Sequence, residues 1–244
     1  MNETSSYEMT IIVPVFNEEQ SIYRLEKELG NYLLSASVSC CVLFVDDGSK
    51  DNSLEKIKEV CSRNESFYFI HLKENRGLST ALKAGIDNSE SRLVGYIDAD
   101  LQTTPEDFNL LLEHVSKYEM VIGIRIGRKD NFVKKLSSRI ANGYRRMMTH
   151  DGIVDTGCPL KIIRTEYARR IPFFDGMHRF LPALIQLENA KVKQIPVRHF
   201  PRKEGQSKYH LWNRLAGPFL DCFAYRWMKK RYIHYSIDQD DLKN

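Results

Sequence analysis

The stretch Leu93-Val94-Gly95-Tyr96-Ile97-Asp98-Ala99-Asp100-Leu101-Gln102 is an apolar run that ends abruptly in two carboxylates one residue apart. Leu93–Ile97 reads as a buried strand, and Asp98 and Asp100 fall where that strand runs out into a loop. Two carboxylates there make poor core and a good cation site. A hard divalent ion takes such oxygen ligands and often shares itself with the phosphates of a bound substrate. A second acidic cluster, Asp46-Asp47-Gly48-Ser49, follows another apolar run at Cys40–Val45. The two together point to a phosphorylated, metal-chelated ligand.

Working outward from these clusters, strands and helices alternate. Thr10–Phe16 reads as a strand, and Glu19–Leu34 as a helix with Ile22, Leu25, Leu29 and Leu33 at helical spacing. Cys40–Val45 is a strand, and Asp51–Arg63 a helix with an Asp near its N-terminus. Phe67–Leu72, Leu93–Ile97 and Met120–Ile124 read as strands, and Leu78–Asn88 as a helix after Gly77. Pro105–Tyr118 reads as a helix with proline in its first turn. Continuously apolar strands alternating with helices imply a parallel sheet covered on both faces. Ligands of such sheets sit beyond the carboxyl ends of the strands. Asn17-Glu18, Asp46-Asp47 and the Asp98/Asp100 pair all fall there.

The second half is less regular. Asn131–Met148 reads as an amphipathic helix with Val133, Leu136, Ile140, Tyr144 and Met147 on one stripe. Pro159–Arg164 and Val192–Phe200 read as strands. With no repeat, low-complexity tract or linker, residues 1–210 are expected to form one domain. Residues 211–244 are expected to form a C-terminal amphipathic helical extension.

The chain has 244 residues, 42% of them apolar and 28% charged, enough for one large α/β domain. Its formal net charge of +4 does not argue for nucleic acid, and the basic stretches lack the aromatic platform of a single-strand binder. Cys40, Cys41, Cys61, Cys158 and Cys222 show no C-x-x-C pairing. They read as reduced packing residues of a cytosolic protein, their spacing being wrong for zinc. Met1–Glu8 carries no apolar signal core, and no run is long enough to span a bilayer.

Two segments suggest contact with a membrane surface. Between Arg125 and Arg146 lie eight basic residues (Arg125, Arg128, Lys129, Lys134, Lys135, Arg139, Arg145, Arg146) against one acid, Asp130. Nearer the C-terminus, Leu211, Trp212, Leu215, Phe219, Leu220, Phe223 and Trp227 precede Lys229-Lys230-Arg231-Tyr232, with Pro218 expected to divide the segment into two helical pieces. Basic amphipathic helices of this kind lie in the headgroup layer.

Six motifs, in order, resemble the signatures of family 2 glycosyltransferases. They are Pro14-Val15-Phe16-Asn17-Glu18, Val45-Asp46-Asp47-Gly48-Ser49, Asn75-Arg76-Gly77, Asp98-Ala99-Asp100-Leu101-Gln102, Gly123-Ile124-Arg125, and Arg202-Lys203-Glu204-Gly205-Gln206-Ser207-Lys208-Tyr209. The "DADLQ" form is similar to the dolichyl-phosphate mannose synthase branch, which includes bacterial polyprenyl-phosphate glycosyltransferases. The resemblance covers about residues 8–212. It implies a GT-A fold, a mostly parallel Rossmann-like sheet flanked by helices.

It also implies roles. Asp100 and Gln102 would ligate Mg²⁺ or Mn²⁺, with Asp98 close to ribose, donor sugar or ion. Asp46 and Glu18 would face the base and ribose of the nucleotide, Pro14 and Phe16 would shape the base pocket, and Asn17 and Gly77 would complete the donor site. Arg125, Arg202, Ser207 and Lys208 would hold phosphate, and Asp155 in Asp155-Thr156-Gly157-Cys158-Pro159-Leu160-Lys161 would stand on the acceptor side. The implied reaction is inverting transfer from a UDP- or GDP-sugar to a polyprenyl phosphate such as undecaprenyl phosphate. The enzyme would be cytoplasmic, peripheral at the inner face of the cytoplasmic membrane, alone or with a membrane protein. The alternative is a family 2 transferase acting on a saccharide or glycolipid hydroxyl, which would require a general base, with Asp155 the candidate.

Overall fold

The computed structural model describes residues 7–127, 142–201 and 216–233. Arg202, Ser207 and Lys208 lie outside the described residues. So do Arg128, Lys129, Lys134, Lys135 and Arg139, the stripe residues Val133, Leu136 and Ile140, and Leu211, Trp212 and Leu215.

The first half follows the expected alternation: β1 (Met9–Val15), α1 (Ile22–Ser35), β2 (Cys40–Asp46), α2 (Ser53–Arg63), β3 (Phe67–His71), α3 (Leu78–Asp87) and β4 (Leu93–Tyr96). After a 3₁₀ turn at Pro105–Asp107 come α4 (Phe108–Leu112), β5 (Met120–Arg125) and a helix over residues 142–149, α5. Then follow β6 (Lys161–Arg164), α6 (Thr165–Arg170), α7 (Leu181–Leu187), β7 (Val192–Val197) and α8 (Ala216–Arg231).

Among the described residues seven strands form one sheet in the order β3-β2-β1-β4-β6-β5-β7. β1, β2, β3 and β4 pair in parallel, as do β5 and β7. β6 alone runs against its neighbours, Tyr96 pairing with Lys161 and Val121 with Ile162. The sheet is thus mostly parallel, as expected, with one reversed strand. Alternate residues of β1 serve opposite faces. Met9, Ile11, Val13 and Val15 join α1, α2 and α4 in one core, while Ile12 joins α3, α6 and α7 in the other. Double-faced burial is why these strands read as unbroken apolar runs. Pro196 sits on the edge strand β7, where its missing N–H is tolerated.

Four expectations about elements change. The helix foreseen over Pro105–Tyr118 ends at Leu112. Beyond it, the carbonyls of Val115 and Ser116 accept bonds from Arg164 Nη2 (3.1 and 3.2 Å) instead of continuing the helix. The last strand stops at Val197, because the Arg198 N–H turns to Asp107 Oδ2 (2.7 Å). Pro218 does not divide α8; it lies in the first turn, where a backbone N–H has no intrahelical partner. On α5, Met147 is exposed, whereas Arg145 is buried in an ion pair with Asp151 and donates to the Ile153 carbonyl (2.7 Å).

Candidate active site

The carboxyl ends of β1, β2, β3 and β4 form one rim, and three acidic clusters meet there as the sequence suggested. Behind β1, Asn17 adopts φ +50° and its Oδ1 accepts from the Lys50 N–H (2.7 Å). The Asn17 and Glu18 N–H groups donate to Ser49 Oγ and Ser53 Oγ (2.9 Å each). The loop after β1 is thus laced to the loop after β2. Pro14 and Phe16 are half-buried beside it, Pro14 in register with Val45.

Asp46, the last residue of β2, is fully buried and bonds His71 Nδ1 at 2.6 Å. Asp47 accepts from the N–H groups of Arg76 (2.8 Å) and Gly77 (2.7 Å) and from Asn75 Nδ2 (2.7 Å). Burial raises its carboxyl above the ordinary range, outweighing the two backbone donors. Between these loops Gly48 has φ +66°, and a Cβ there would lie 2.6 Å from the Glu74 carbonyl carbon and 2.7 Å from Asn75 N. Only glycine lets the two backbones approach so closely. Gly77, φ +89°, then opens α3.

The loop after β4 turns sharply: the Leu101 N–H reaches the Asp98 carbonyl (3.2 Å) with Leu101 at φ +47°. That conformation costs a bulky residue about 1–2 kcal/mol; burial of the Leu101 side chain in the core offsets it. Asp100 is buried, its Oδ1 accepting from the Gln102 N–H (3.2 Å). The Gln102 side chain donates to the Phe200 carbonyl (3.5 Å). Tyr96 Oη donates to Asp98 Oδ1. Burial, then the charge of Asp100, pushes the Asp98 carboxyl up to about 6, against the Tyr96 bond and the charges of Lys161 and Arg125.

Those two cations complete the centre. Arg125, at the end of β5, meets Asp155 through a fork: Nε to Oδ2 at 2.8 Å and Nη2 to Oδ1 at 2.7 Å. Burial opposes the guanidinium charge, but the Asp155 bonds outweigh it and leave Arg125 more basic than usual. Lys161, opposite Tyr96 across the β4–β6 pair, is buried; it lies over the Tyr96 ring (5.2 Å) and donates to the Cys158 carbonyl. Burial pulls its ammonium below the ordinary lysine range.

Asp98, Asp100, Arg125 and Asp155 therefore share one charge network, while Asp46, Glu18 and Gly77 line the neighbouring loops. Asp47, His71, Tyr96 and Lys161 were given no role from the sequence. His71 ends β3 and so obeys the same strand-end rule. Lys161, a lone cation inside Leu160–Ile163, was the other available signal. Arg202, Ser207 and Lys208 follow Pro201, the residue after Phe200, whose N–H donates to the Gln102 carbonyl (2.8 Å).

Among the described residues no three His, Cys, Asp or Glu side chains group closely enough to hold an ion by themselves. The donor set still fits a hard cation shared with a substrate diphosphate, which needs one or two carboxylates from the protein. Asp98 and Asp100 are close enough for one charge to raise the other's pKa, and in the same loop the buried Thr103 hydroxyl has no partner among the described residues.

Residues 10–171 match the model of the glycosyl transferase family 2. The chain belongs to that family. Among family 2 relatives, a dodecaprenyl-phosphate galacturonate synthase from Rhizobium johnstonii is 32% identical over 225 residues, 90% of this chain and 66% of that protein. An undecaprenyl-phosphate 4-deoxy-4-formamido-L-arabinose transferase from Edwardsiella ictaluri is 32% identical over 205 residues, 83% of this chain and 63% of that protein. The chain thus spans a little under two thirds of the length of these relatives. Glucosyl-3-phosphoglycerate synthase from Mycobacterium tuberculosis, solved with Mn²⁺, UDP-glucose and phosphoglyceric acid, superimposes with a TM-score of 0.66 at 13% identity, over 93% of this chain and 81% of that one. The fold is accordingly GT-A, and Mn²⁺ is bound in that distant relative.

Proposed function

We propose that this chain transfers a sugar, with inversion, from a UDP- or GDP-sugar to a polyprenyl phosphate. The observation that carries the proposal is the single charge network in which Asp98 meets the charges of both Asp100 and Arg125. Carboxylates suited to the donor side beside a cation suited to phosphate support this reading. The names of the two relatives, both transferases to prenyl phosphates, supply the acceptor class.

In this reading an acceptor phosphate oxygen attacks the anomeric carbon as the nucleoside diphosphate leaves from the opposite side. The acceptor is already anionic and needs no general base. What it needs is cations to draw two phosphate groups together. Asp155 takes Nε and Nη2 of Arg125, which orients the guanidinium and leaves its Nη1 donors for phosphate. Arg202, Ser207 and Lys208 are proposed to join it. Asp100 and Gln102, with Asp98, would hold Mg²⁺ or Mn²⁺, which when bound offsets charge on the departing diphosphate. Pro14, Phe16, Asn17, Glu18, Asp46 and Gly77 are proposed to shape the nucleotide site.

Transfer to a hydroxyl is the weaker reading. It needs a base, and both Asp155 oxygens already accept from Arg125. Among the described residues no helix is long and apolar enough to cross a membrane. Action as a peripheral enzyme at the cytoplasmic face of the membrane is part of the proposal.

The test is an organic-extraction assay with labelled UDP- and GDP-sugars, undecaprenyl phosphate, and Mg²⁺ or Mn²⁺. Metal-dependent label in the organic phase, absent with Asp100→Ala, supports the reading and names the donor. Donor binding or slow donor hydrolysis without lipid product overturns it.

A further inference from the structure

Helix α8 is apolar on two sides. One side packs on the domain: Cys222 and Tyr225 are buried, Tyr225 stacks on Phe180 (6.3 Å) and its hydroxyl donates to the Ala183 carbonyl (3.3 Å). The opposite side carries Phe219, Leu220, Phe223 and Trp227, whose spacing places them on one stripe. These side chains are 48%, 66%, 51% and 62% exposed. Lys230 and Arg231 extend the same stripe, and Arg231 lies over the Trp227 ring (5.5 Å). Met147 on α5 is also exposed, next to Tyr144, which stacks on Phe219 (4.8 Å). The one acid in α8, Asp221, belongs to the other side: its Oδ2 would lie 2.8 Å from a Cβ on Gly176.

We propose that the outward face of α8 docks on an anionic phospholipid surface, with Phe219, Leu220, Phe223 and Trp227 entering the headgroup layer and Lys230 and Arg231 meeting lipid phosphates. A contiguous apolar stripe on a helix already packed by its other side calls for a covering surface. The charge pattern selects which surface. Aromatic side chains flanked, among the described residues of this face, only by cations fit an acidic lipid interface. A second copy of this chain would offer no acid on this face of α8 to meet Lys230 and Arg231.

The docking helix is also linked to the site. Asp221 in the N-terminal half of α8 lies beside Gly176, whose N–H donates to Ser79 Oγ (3.1 Å) on α3, the helix that Gly77 opens at the rim. The inference does not depend on the acceptor proposed above.

The experiment is co-sedimentation of the full chain with vesicles of phosphatidylcholine alone or mixed with phosphatidylglycerol, without donor or acceptor, so that its outcome is separate from that of the transfer assay. Binding is expected to be at least about tenfold tighter on the anionic vesicles. The exposed-site double variant Phe223→Ser/Trp227→Ser should lose about tenfold or more. In a Trp212→Phe background, Trp227 emission should shift to the blue on binding. Equal binding by the double variant, or no shift in Trp227 emission, overturns the proposal. So does a dimer in solution that the double variant dissolves without any binding to vesicles.

Discussion

Arg125 and Asp155, thirty residues apart, form a two-pronged ion pair, with the Arg125 N–H adding a third bond to Asp155 Oδ2 at 3.2 Å. The side chains are 14% and 10% exposed, so removing one leaves a nearly buried charge without its partner. Asp155→Ala and Arg125→Ala should each cost about 3 kcal/mol of stability. Arg125→Met/Asp155→Leu should cost much less than the sum of the single changes. Urea unfolding of the double-mutant cycle checks this; strict additivity would show that the pair is not coupled. Arg125→Lys, which cannot form the fork, should lose transfer activity while keeping donor binding.

Gly48 separates two loops that touch through their backbones. Gly48→Ala forces a left-handed φ on alanine and drives its Cβ into Glu74 and Asn75, where no side chain can swing aside. A loss of about 2–3 kcal/mol is expected. The Asn75–Gly77 loop moves with it, so calorimetric titration with UDP or GDP should show weakened binding. An unchanged melting temperature would mean that the loops separate freely.

The alternation of β1 to β4 with α1 to α3 was legible because both faces of those strands are buried, which makes the pattern unambiguous. The strand-end clusters were legible for the same reason: a carboxylate straight after a buried strand has few other uses. Reversal of β6 was not, since the direction of Lys161–Arg164 is set by how the chain returns from residue 126, not by composition. The early end of α4 depends on Arg164, forty-eight residues further on, capturing the Ser116 carbonyl. Asp155 reads as an acceptor-side carboxylate from its motif, yet its partner is set by the register of β5 against β6. Of the expected stripe within α5, Tyr144 packs on the core but Met147 does not, and Arg145 is buried instead because Asp151, six residues on, supplies the countercharge.

His178 lies beside Ser79, Nδ1 to Oγ at 2.9 Å, and burial pushes its pKa down to about 3, with the charges of Arg179 and Lys161 acting in the same direction. The unfolded chain takes up this proton near pH 6.5; the folded chain does not until about pH 3. Stability is therefore complete above pH 6.5 and is lost as pH falls toward 3. Between pH 7.5 and 5 this group should account for about 1 kcal/mol, discounted because part of the ring meets solvent. Urea unfolding at the two pH values, compared with His178→Asn, isolates it. An identical pH dependence in the variant would remove His178 from the account.

Asp107 fixes how the chain leaves β7. It is buried, and it accepts from Arg198 twice, from the backbone N–H (2.7 Å) and from Nε (2.8 Å). Two residues later the Phe200 N–H donates to the Gln102 carbonyl, so the exit of β7 is stapled along the loop after β4. In the proposed mechanism the next basic residue, Arg202, holds acceptor phosphate. Asp107→Ala removes two charge-assisted bonds, and because Arg198 is 54% exposed, the freed guanidinium rehydrates. The loss should be about 2 kcal/mol, short of unfolding the domain. The kinetic consequence should fall mainly on the acceptor. The loops on the nucleotide side hang on Asp46, Asp47 and Gly48, and the staple meets the donor site only at Gln102, so donor KM should change less than acceptor KM. The efficiency toward polyprenyl phosphate should fall about tenfold as the phosphate-binding segment loses its anchor. Asp107→Asn, which keeps one acceptor oxygen, should fall between. Steady-state kinetics with donor and acceptor varied in turn would read this directly. A matching rise in donor KM would move the staple's role to the donor loop.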